Sequence, residues 1–513
     1  MPENISTKYA LFSVSDKTEI AEFARTIANL GYRIISTGGT AKALAAAGIA
    51  VISISEITGE PESFDGRMKT ISFQIESGIL FDRGNPKHVE EAAALKIKPI
   101  DIVVCNLYPF EASPGIENID VGGPTMIRAA AKNNKHVLVI CDPADYAQVA
   151  EALKKDSVTP ELRQELAAKA FWHLSHYDSQ IAAFLERSKF PEKITLPGRK
   201  AFDLRYGENP HQRGAVYFAP RTDSPLARLK RLWGRELSLI NMTDINAGIE
   251  SVRLFVGPAA VVIKHNNPCG VALGKTAGEA LARAIEADAE SAFGGIVVLN
   301  KPMDEAAAAV VAKFRGDTHG NMDIIAAPEI DDGTLDALKK MRKSMGIYTF
   351  GDLPQNRSDK YNLKWIDGGF ILQDSDDDIE KHFAKWEIVT KIKPTEQQMS
   401  QMKIAWKFIS RIKSNAVIVV DATLPMTRGI GTGQTSRVRA AKIALSQAGE
   451  HGRGGIMASD SFFPFPDSVE EAASRGIAGI VQQGDSINDK AVIQAADAAK
   501  IPMVFTHTRA FWH

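Results

Sequence analysis

The sequence predicts an α/β protein, with one doubly wound parallel domain first and then a region of two further stretches with mixed strand and helix signals, each carrying a sheet of its own. Three observations predict it. Apolar, β-branched runs alternate with stretches of helical periodicity from residue 9 onward. Gly31 and Gly48 stand where a helix should stop and the next strand begin. The later β-branched runs, 261–263, 295–299, 416–420 and 477–481, all lie beyond a Pro- and Gly-bearing stretch near residue 197. At 513 residues the chain is long enough for about three compact units.

The elements follow in order. Residues 9–14 read as a strand, and Ile20, Phe23, Ala24 and Ile27 then recur at helical spacing. A second strand, 33–36, runs into Thr37-Gly38-Gly39-Thr40, an Ala-rich helix and another β-branched run, 49–54, which is a parallel βαβ pattern. Residues 102–106 and 136–140 read as further strands, with a helix over 124–134 between them and another over 144–154 after them. Residues 160–188 have helical periodicity, and 190–200, with Pro191, Pro197 and Gly198, has the composition of a linker. The predicted domains are therefore 1–197 and 198–513. Between 300 and 400 the run Asp374-Ser375-Asp376-Asp377-Asp378 is expected to be a solvated acidic surface.

Composition excludes several classes of function. Lys and Arg number 61 against 62 Asp and Glu, a formal charge of -1, so the chain has no electrostatic footprint for nucleic acid or an anionic membrane. Any phosphate site must be local. Cys105, Cys141 and Cys269 are isolated, as expected for reduced thiols in a cytoplasmic protein. The opening Met1-Pro2-Glu3-Asn4-Ile5 lacks a basic region followed by an apolar one, and no apolar run approaches the roughly 18 residues of a membrane span.

Polar motifs gather at the predicted strand ends. Thr37-Gly38-Gly39-Thr40 joins a strand to a helix N-terminus, where backbone amides and the helix dipole favour a phosphate. Ser15-Asp16-Lys17 holds the equivalent place after the first strand, and Lys17 adds a point charge. Asp65-Gly66-Arg67-Met68-Lys69-Thr70, Asn106-Leu107-Tyr108-Pro109 and Asp120-Val121-Gly122-Gly123 are expected on the same rim. Lys69, Tyr108, Asp120 and Lys132 there offer an acid, a base and oxyanion-stabilising groups for proton transfer on a bound anion.

In the second region an apolar strand, Val261-Val262-Ile263, empties into Lys264-His265, with a turn expected at Asn267-Pro268. An ammonium beside an imidazole opposes a second positive charge, which leaves His265 able to accept a proton near neutral pH. Arg205-Tyr206-Gly207-Glu208-Asn209-Pro210-His211-Gln212 combines a cation, an aromatic face and a turn, suiting a phosphorylated planar ligand. Gly429-Ile430-Gly431-Thr432-Gly433-Gln434 precedes Ser436-Arg437 and is expected to allow close backbone approach to a ligand, although it does not satisfy the dinucleotide fingerprint. A zinc deaminase signature is only mimicked by His88-Val89-Glu90 and Pro268-Cys269, because position 272 is Ala where a second cysteine is needed.

Together these segments resemble the bifunctional purine-biosynthesis family that joins an aminoimidazole-carboxamide ribonucleotide formyltransferase to an inosine monophosphate cyclohydrolase. Besides the motifs above, the resemblance rests on Arg128-Ala129-Ala130-Ala131-Lys132-Asn133, Ser291-Ala292-Phe293-Gly294-Gly295, Lys413-Ser414-Asn415-Ala416, Ala458-Ser459-Asp460 and the terminal Arg509, Phe511 and His513. It implies a methylglyoxal-synthase-like first domain and two cytidine-deaminase-like α/β subdomains, working as a homodimer with the transferase site at the subunit interface. It further implies formyl-tetrahydrofolate as cosubstrate, no zinc, a structural potassium ion and small-molecule nucleotide substrates.

Residue by residue, the resemblance makes His265 the base of formyl transfer, Lys264 the cation on the carbonyl oxygen and Asn415 an orienting group. It gives ring closure to Lys69, Tyr108, Asp120 and Lys132. Nucleotide binding for closure would fall to Ser15, Asp16, Lys17, Thr37, Gly38, Gly39, Thr40, Arg67, Thr70, Cys105, Asn106 and Val121. Arg205, Tyr206, Gly295, Ser436, Arg437, Phe462, Asp467, Ser486, Arg509, Phe511 and His513 would bind the transferase ligands. The chain departs from the family pattern in three places. Ile71-Ser72-Phe73 stands for Leu-His-Pro, Gln483-Gly484-Asp485-Ser486 for Pro-Gly-Gly-Ser, and Arg509-Ala510-Phe511 for Arg-His-Phe. A bifunctional enzyme, a transferase with impaired closure and a nucleotide-binding protein without turnover are all compatible with these residues.

Overall fold

The computed structural model describes residues 7–64, 66–355 and 361–513. Asp65 of the Lys69 loop and the Met1 to Ile5 opening lie outside the described residues. The chain forms two compact units rather than three: residues 1–199 with 219–221, and residues 200–218 with 222–513.

The first unit is built on five parallel strands, β1 (Tyr9–Val14), β2 (Arg33–Ser36), β3 (Val51–Ser53), β4 (Ile100–Asn106) and β5 (Leu138–Ile140), in the order β3-β2-β1-β4-β5. Both faces of β1 are covered, so Ala10, Leu11 and Phe12 are fully buried, as a parallel sheet requires. Helix α1 (Ile20–Asn29) buries its predicted stripe of Ile20, Phe23, Ala24 and Ile27. Helix α2 (Gly38–Ala46) starts at the Gly-Gly turn. The expected strand over 49–54 is shorter, because Ser53 closes a capping box with Glu56 and opens helix α3 (Ile54–Thr58). Two helices not predicted follow, α4 (Phe73–Leu80) capped by Ser72 and α5 (Pro86–Ala94) capped by Asn85. Helices α6 (Gly122–Lys132), α7 (Tyr146–Lys154) and α8 (Pro160–Leu185) complete the unit. Chain direction switches sides at β1, which opens a crevice at the carboxyl ends of β1 and β4.

After β6 (Arg199–Asp203) and β7 (Ala215–Phe218), which pair with each other, the second unit holds two six-stranded sheets. The first contains β8 (Lys230–Trp233), β9 (Ala259–Lys264), β10 (Asn267–Leu273), β11 (Ile296–Leu299), β12 (Ile324–Ala327) and β13 (Gly346–Thr349), ordered β10-β9-β11-β12-β13-β8. It is packed by helices α9 (Leu239–Val252), α10 (Ala277–Glu286), α11 (Glu305–Thr318) and α12 (Asp332–Met341). A small hairpin, β14 (Tyr361–Ile366) with β15 (Gly369–Asp374), precedes the second sheet. That sheet contains β16 (Glu387–Ile388), β17 (Val417–Val420), β18 (Thr427–Gly431), β19 (Ile456–Ser459), β20 (Gly479–Gln482) and β21 (Met503–Phe505), ordered β16-β21-β20-β19-β17-β18. Its helices are α13 (Glu396–Ile409), α14 (Arg437–Ala448), α15 (Asp467–Ser474) and α16 (Asp489–Ala498).

The two sheets share one design. In each, an antiparallel pair (β9 with β10, β17 with β18) joins an antiparallel neighbour, then two parallel strands, then an antiparallel edge. They also share a core, in which Ile263 and Val298 cluster with Ile418 and Val481. That joint core is why three predicted units become two. The expected acidic surface is not wholly solvated, since Asp377 pairs with Arg411, which is 5% exposed. Among the described residues, no helix is long and apolar enough to cross a membrane.

Candidate active sites

In the first unit the predicted rim assembles at the carboxyl edge of the sheet. Asn106, ending β4, accepts the amides of Ser15 and Asp16 at 2.7 and 2.8 Å and donates to the Asp16 carbonyl at 3.1 Å. Thr40 is buried, with its hydroxyl 3.0 Å from both the amide and the carbonyl of Val14. These two side chains brace the β1 loop and are spent there. Over the Gly-Gly turn the space is taken by cations. A Cβ on Gly38 would stand 3.6 Å from Lys69 Nζ, and one on Gly39 would stand 3.8 Å from Lys17 Nζ. Lys69 lies 3.6 Å from Glu62, which also accepts the Thr37 hydroxyl at 2.7 Å. Glu62 has no motif around it in the sequence.

The α6 N-terminus closes the rim. Thr70 Oγ1 lies so close to Gly122 that a Cβ there would collide with it, and Asp120 Oδ1 accepts the Gly123 amide at 2.8 Å. Burial pushes the Asp120 carboxyl up, against the amides of Gly123 and Tyr108, which hold it down. Tyr108 and Val121 are exposed. Arg67 is exposed and paired with Glu117 at 2.6 Å.

Two predicted members are not brought in. Cys105 is 1% exposed, and burial raises its thiol well above the usual range. Lys132 ends α6, and the eleven residues of that helix put it about 16 Å from Asp120, exposed at the far end. Asp120 thus stands at the α6 N-terminus and Lys69 over the Gly-Gly turn. At the Ile71-Ser72-Phe73 departure, Ser72 caps α4 by accepting the Ile75 amide at 3.2 Å, and Phe73 is exposed.

In the second unit the Lys264-His265 strand end is the tip of a hairpin. Lys264 pairs with Asn267, and His265 and Asn266 form the two-residue loop with φ of 54° and 60°, positive at both as such loops demand. The turn is thus His265-Asn266, and Asn267-Pro268, expected to turn, opens β10 instead. Lys264 Nζ donates to the Phe293 carbonyl at 2.9 Å, beside Gly295, and Asn267 Oδ1 accepts from Lys413 N at 3.3 Å and Thr432 Oγ1 at 2.9 Å. Under the turn lies Asp244 of α9, which accepts the Asn266 amide at 2.6 Å.

A cavity of ≈ 640 Å³ is lined by the predicted Asn415, Ser436, Arg437, Phe462, Asp467, Arg509 and Phe511, with Phe465 and Ser461 beside them. Phe511 lies under two guanidiniums, 4.4 Å from Arg509 and 6.0 Å from Arg437. Arg437 donates to Asn415 Oδ1 at 2.7 Å and Ser459 Oγ at 2.9 Å and pairs with the fully buried Asp460. Asp460 also accepts Ser414 Oγ at 2.6 Å and the Ala416 amide at 2.9 Å, so one carboxylate fixes both the Arg437 and the Asn415 walls. Planar anions suit such a wall.

Lys264, His265, Arg205, Tyr206, Gly295, Ser486 and His513 do not line this cavity. Arg205 stacks on Tyr206 at 4.7 Å, Ser486 gives its amide to Asp489 at 3.0 Å, and the His513 ring meets Phe511 edge-on at 5.5 Å. Gly429 and Gly431 serve packing, since a Cβ on either would strike the Ala444 or Ala440 carbonyl of α14, whereas Gly433, at φ 64°, has nothing within 4 Å of such a Cβ. At the Gln483-Gly484-Asp485-Ser486 departure, Asp485 takes φ 67° and lies 3.3 Å from His507. Among the described residues, no three His, Cys, Asp or Glu side chains gather as a metal site.

This geometry agrees with what the chain is similar to. The profile of the MGS-like domain matches residues 19–135, and that of the AICARFT/IMPCHase bienzyme matches residues 130–447. The bifunctional purine biosynthesis protein PurH of Bacillus subtilis (strain 168) is 44% identical over 527 residues, covering 99% of this chain and 100% of its own. The chain belongs to the AICARFT/IMPCHase bienzyme family. The PurH proteins of Bacillus mycoides (strain KBAB4) and Oceanobacillus iheyensis are 44% and 42% identical, again across 99% of this chain and all of theirs. As a bienzyme, the chain carries a transferase and a hydrolase activity.

Proposed function

We propose that ring closure takes place on the rim of the first unit, and formyl transfer around the His265 hairpin and the Arg437 cavity of the second. The chain performs the two steps of its family in purine biosynthesis. It formylates the aminoimidazole-carboxamide ribonucleotide from a folate-derived donor, then closes the ring to inosine monophosphate. The division of labour is carried by one observation: the two polar constellations lie in different compact units. Residues 1–197 are accordingly the cyclohydrolase and 198–513 the transferase.

In transfer, the ligand's amine bonds to the formyl carbon and its proton passes to His265, while Lys264 steadies the carbonyl oxygen. One of the three Lys264 donors is held by Phe293, and two remain. The donor's nitrogen takes up a proton as its bond to the formyl carbon breaks. Formyl-tetrahydrofolate is the donor on this reading. Arg437, Arg509 and Phe511 supply the charge and flat surface that an anionic planar ligand needs, and Asn415 orients it.

In closure, the carboxamide nitrogen attacks the formyl carbon and water leaves. The start of α2 and Lys17 receive the phosphate. Lys69 neutralises charge at the reacting oxygen, and burial favours Asp120 as the group that returns a proton to it, with Tyr108 alongside.

The His265 hairpin does not line the cavity of its own chain, which supports a homodimer whose transferase site is completed by the second copy. This reading uses no zinc in either step, and three free cysteines agree with a cytoplasmic protein. The test is to supply the carboxamide ribonucleotide and the folate donor and to measure the formylated intermediate and inosine monophosphate separately. Intermediate without inosine monophosphate would leave only the transferase, and neither product would reject both.

A further inference from the structure

The turn that presents His265 is gripped on its backbone and leaves its imidazole free. Lys264 is held by the Phe293 carbonyl and Asn267 by Lys413 and Thr432. Among the described residues, the His265 side chain, which is exposed, has no hydrogen-bond partner. The turn itself needs support, because left-handed φ values cost non-glycine residues on the order of 1 kcal/mol each. His265 at 54° and Asn266 at 60° are two in succession.

That support comes from one carboxylate. Asp244 is 4% exposed in the middle of α9, and its Oδ1 accepts the Asn266 amide at 2.6 Å. The His265 amide bears on the same carboxylate. A carboxylate buried this far is costly unless hydrogen-bonded, and the partner it finds is the Asn266 amide of the turn. It receives no lysine or arginine partner within salt-bridge distance among the described residues.

We propose that Asp244 is a positioning residue for formyl transfer: by binding the Asn266 amide it fixes the left-handed His265-Asn266 turn and so aims the imidazole. This rests on His265 being the base. Without the carboxylate the turn can relax about the His265 and Asn266 backbone, and the base swings while the Arg437 cavity keeps its walls.

The experiment uses the full-length chain with D244A, D244N, H265A and H265A/D244A. Formyl transfer is measured as kcat and KM, and urea unfolding followed through Trp406, buried in the same unit, is the folding control. D244A is expected to lower kcat on the order of 10²-fold, the cost of misplacing a catalytic group by about an ångström, with KM unchanged. D244N keeps one acceptor and is expected to recover part of that loss. Added to H265A, D244A is expected to cost nothing further, because both changes act through one group. A parent kcat in D244A, or the same loss with and without His265, overturns the proposal. If D244A does not fold, D244N decides: a lowered kcat at unchanged KM supports the proposal and a parent kcat overturns it. Transfer at the parent rate in H265A would reject the base itself, whereas an inactive H265A beside a fully active D244A would reject only the role of Asp244.

Discussion

Replacing Asp460 by Ala should unsettle the second unit more than any other single change in the cavity wall. The carboxylate is fully buried, pairs with Arg437, and takes the Ser414 hydroxyl and the Ala416 amide at 2.6 and 2.9 Å. Without it, the Arg437 side chain, 9% exposed, keeps only the neutral acceptors of Ser459 and Asn415. Breaking a buried pair from one side costs about 3–5 kcal/mol. The orphaned Ala416 amide would cost about 1–3 kcal/mol alone, but it shares the same cavity, so the two do not add. Against a total stability of about 5–15 kcal/mol, a loss of about 4 kcal/mol is a large fraction. Urea unfolding followed through Trp406, buried in the same unit, measures it, and closure of preformed intermediate should survive at low urea. A loss below about 1 kcal/mol would refute the reasoning, since that is what a solvated pair contributes.

Two other changes test the packing. Glu76 is held up to about 7 from its ordinary 4.5 by burial, so the folded state binds its proton more tightly than the unfolded chain does. Its contribution is complete below pH 4.5 and is lost as pH rises through about 7. Glu76→Gln should therefore raise the Tm of the first unit at pH 8 and flatten its pH dependence, and an equal slope in parent and variant would contradict this. Gly431→Ala would drive a methyl into the Ala440 carbonyl and should destabilise by about 1–3 kcal/mol in urea. Weaker ligand binding with unchanged stability would instead return that glycine to a ligand.

The doubly wound sheet was legible because its strands are buried on both faces and its first helix shows a clean apolar stripe. The helices α4 and α5 were not. They are short, and their starts are set by single capping side chains, Ser72 and Asn85, which look like loop residues in sequence. The Arg437 cavity was legible as ordered motifs, yet Asp460, which holds it, was read only as part of a matched run. Asp244 and Glu62 carried no signal, because a lone acid reveals its partners only through the fold. Lys132 shows how sequence nearness differs from spatial nearness: twelve residues after Asp120, it ends α6 about three turns from the start of that helix. Gly429 and Gly431 gave an ambiguous signal, because a strand pressed on a helix and a loop pressed on a ligand make the same demand for a missing side chain.

The central claim is that two steps of chemistry occupy two independent sites, and one paired measurement tests it most directly. His265→Ala and Asp120→Asn are each assayed for formyl transfer and for closure of preformed intermediate in the same preparations. Loss of an acid or base typically costs about 10²- to 10⁴-fold in its own step. The account predicts a crossed result: His265→Ala loses transfer and keeps closure, while Asp120→Asn keeps transfer and accumulates the formylated intermediate. Either variant running both steps at the parent rate, or a folded variant losing both together, would contradict it.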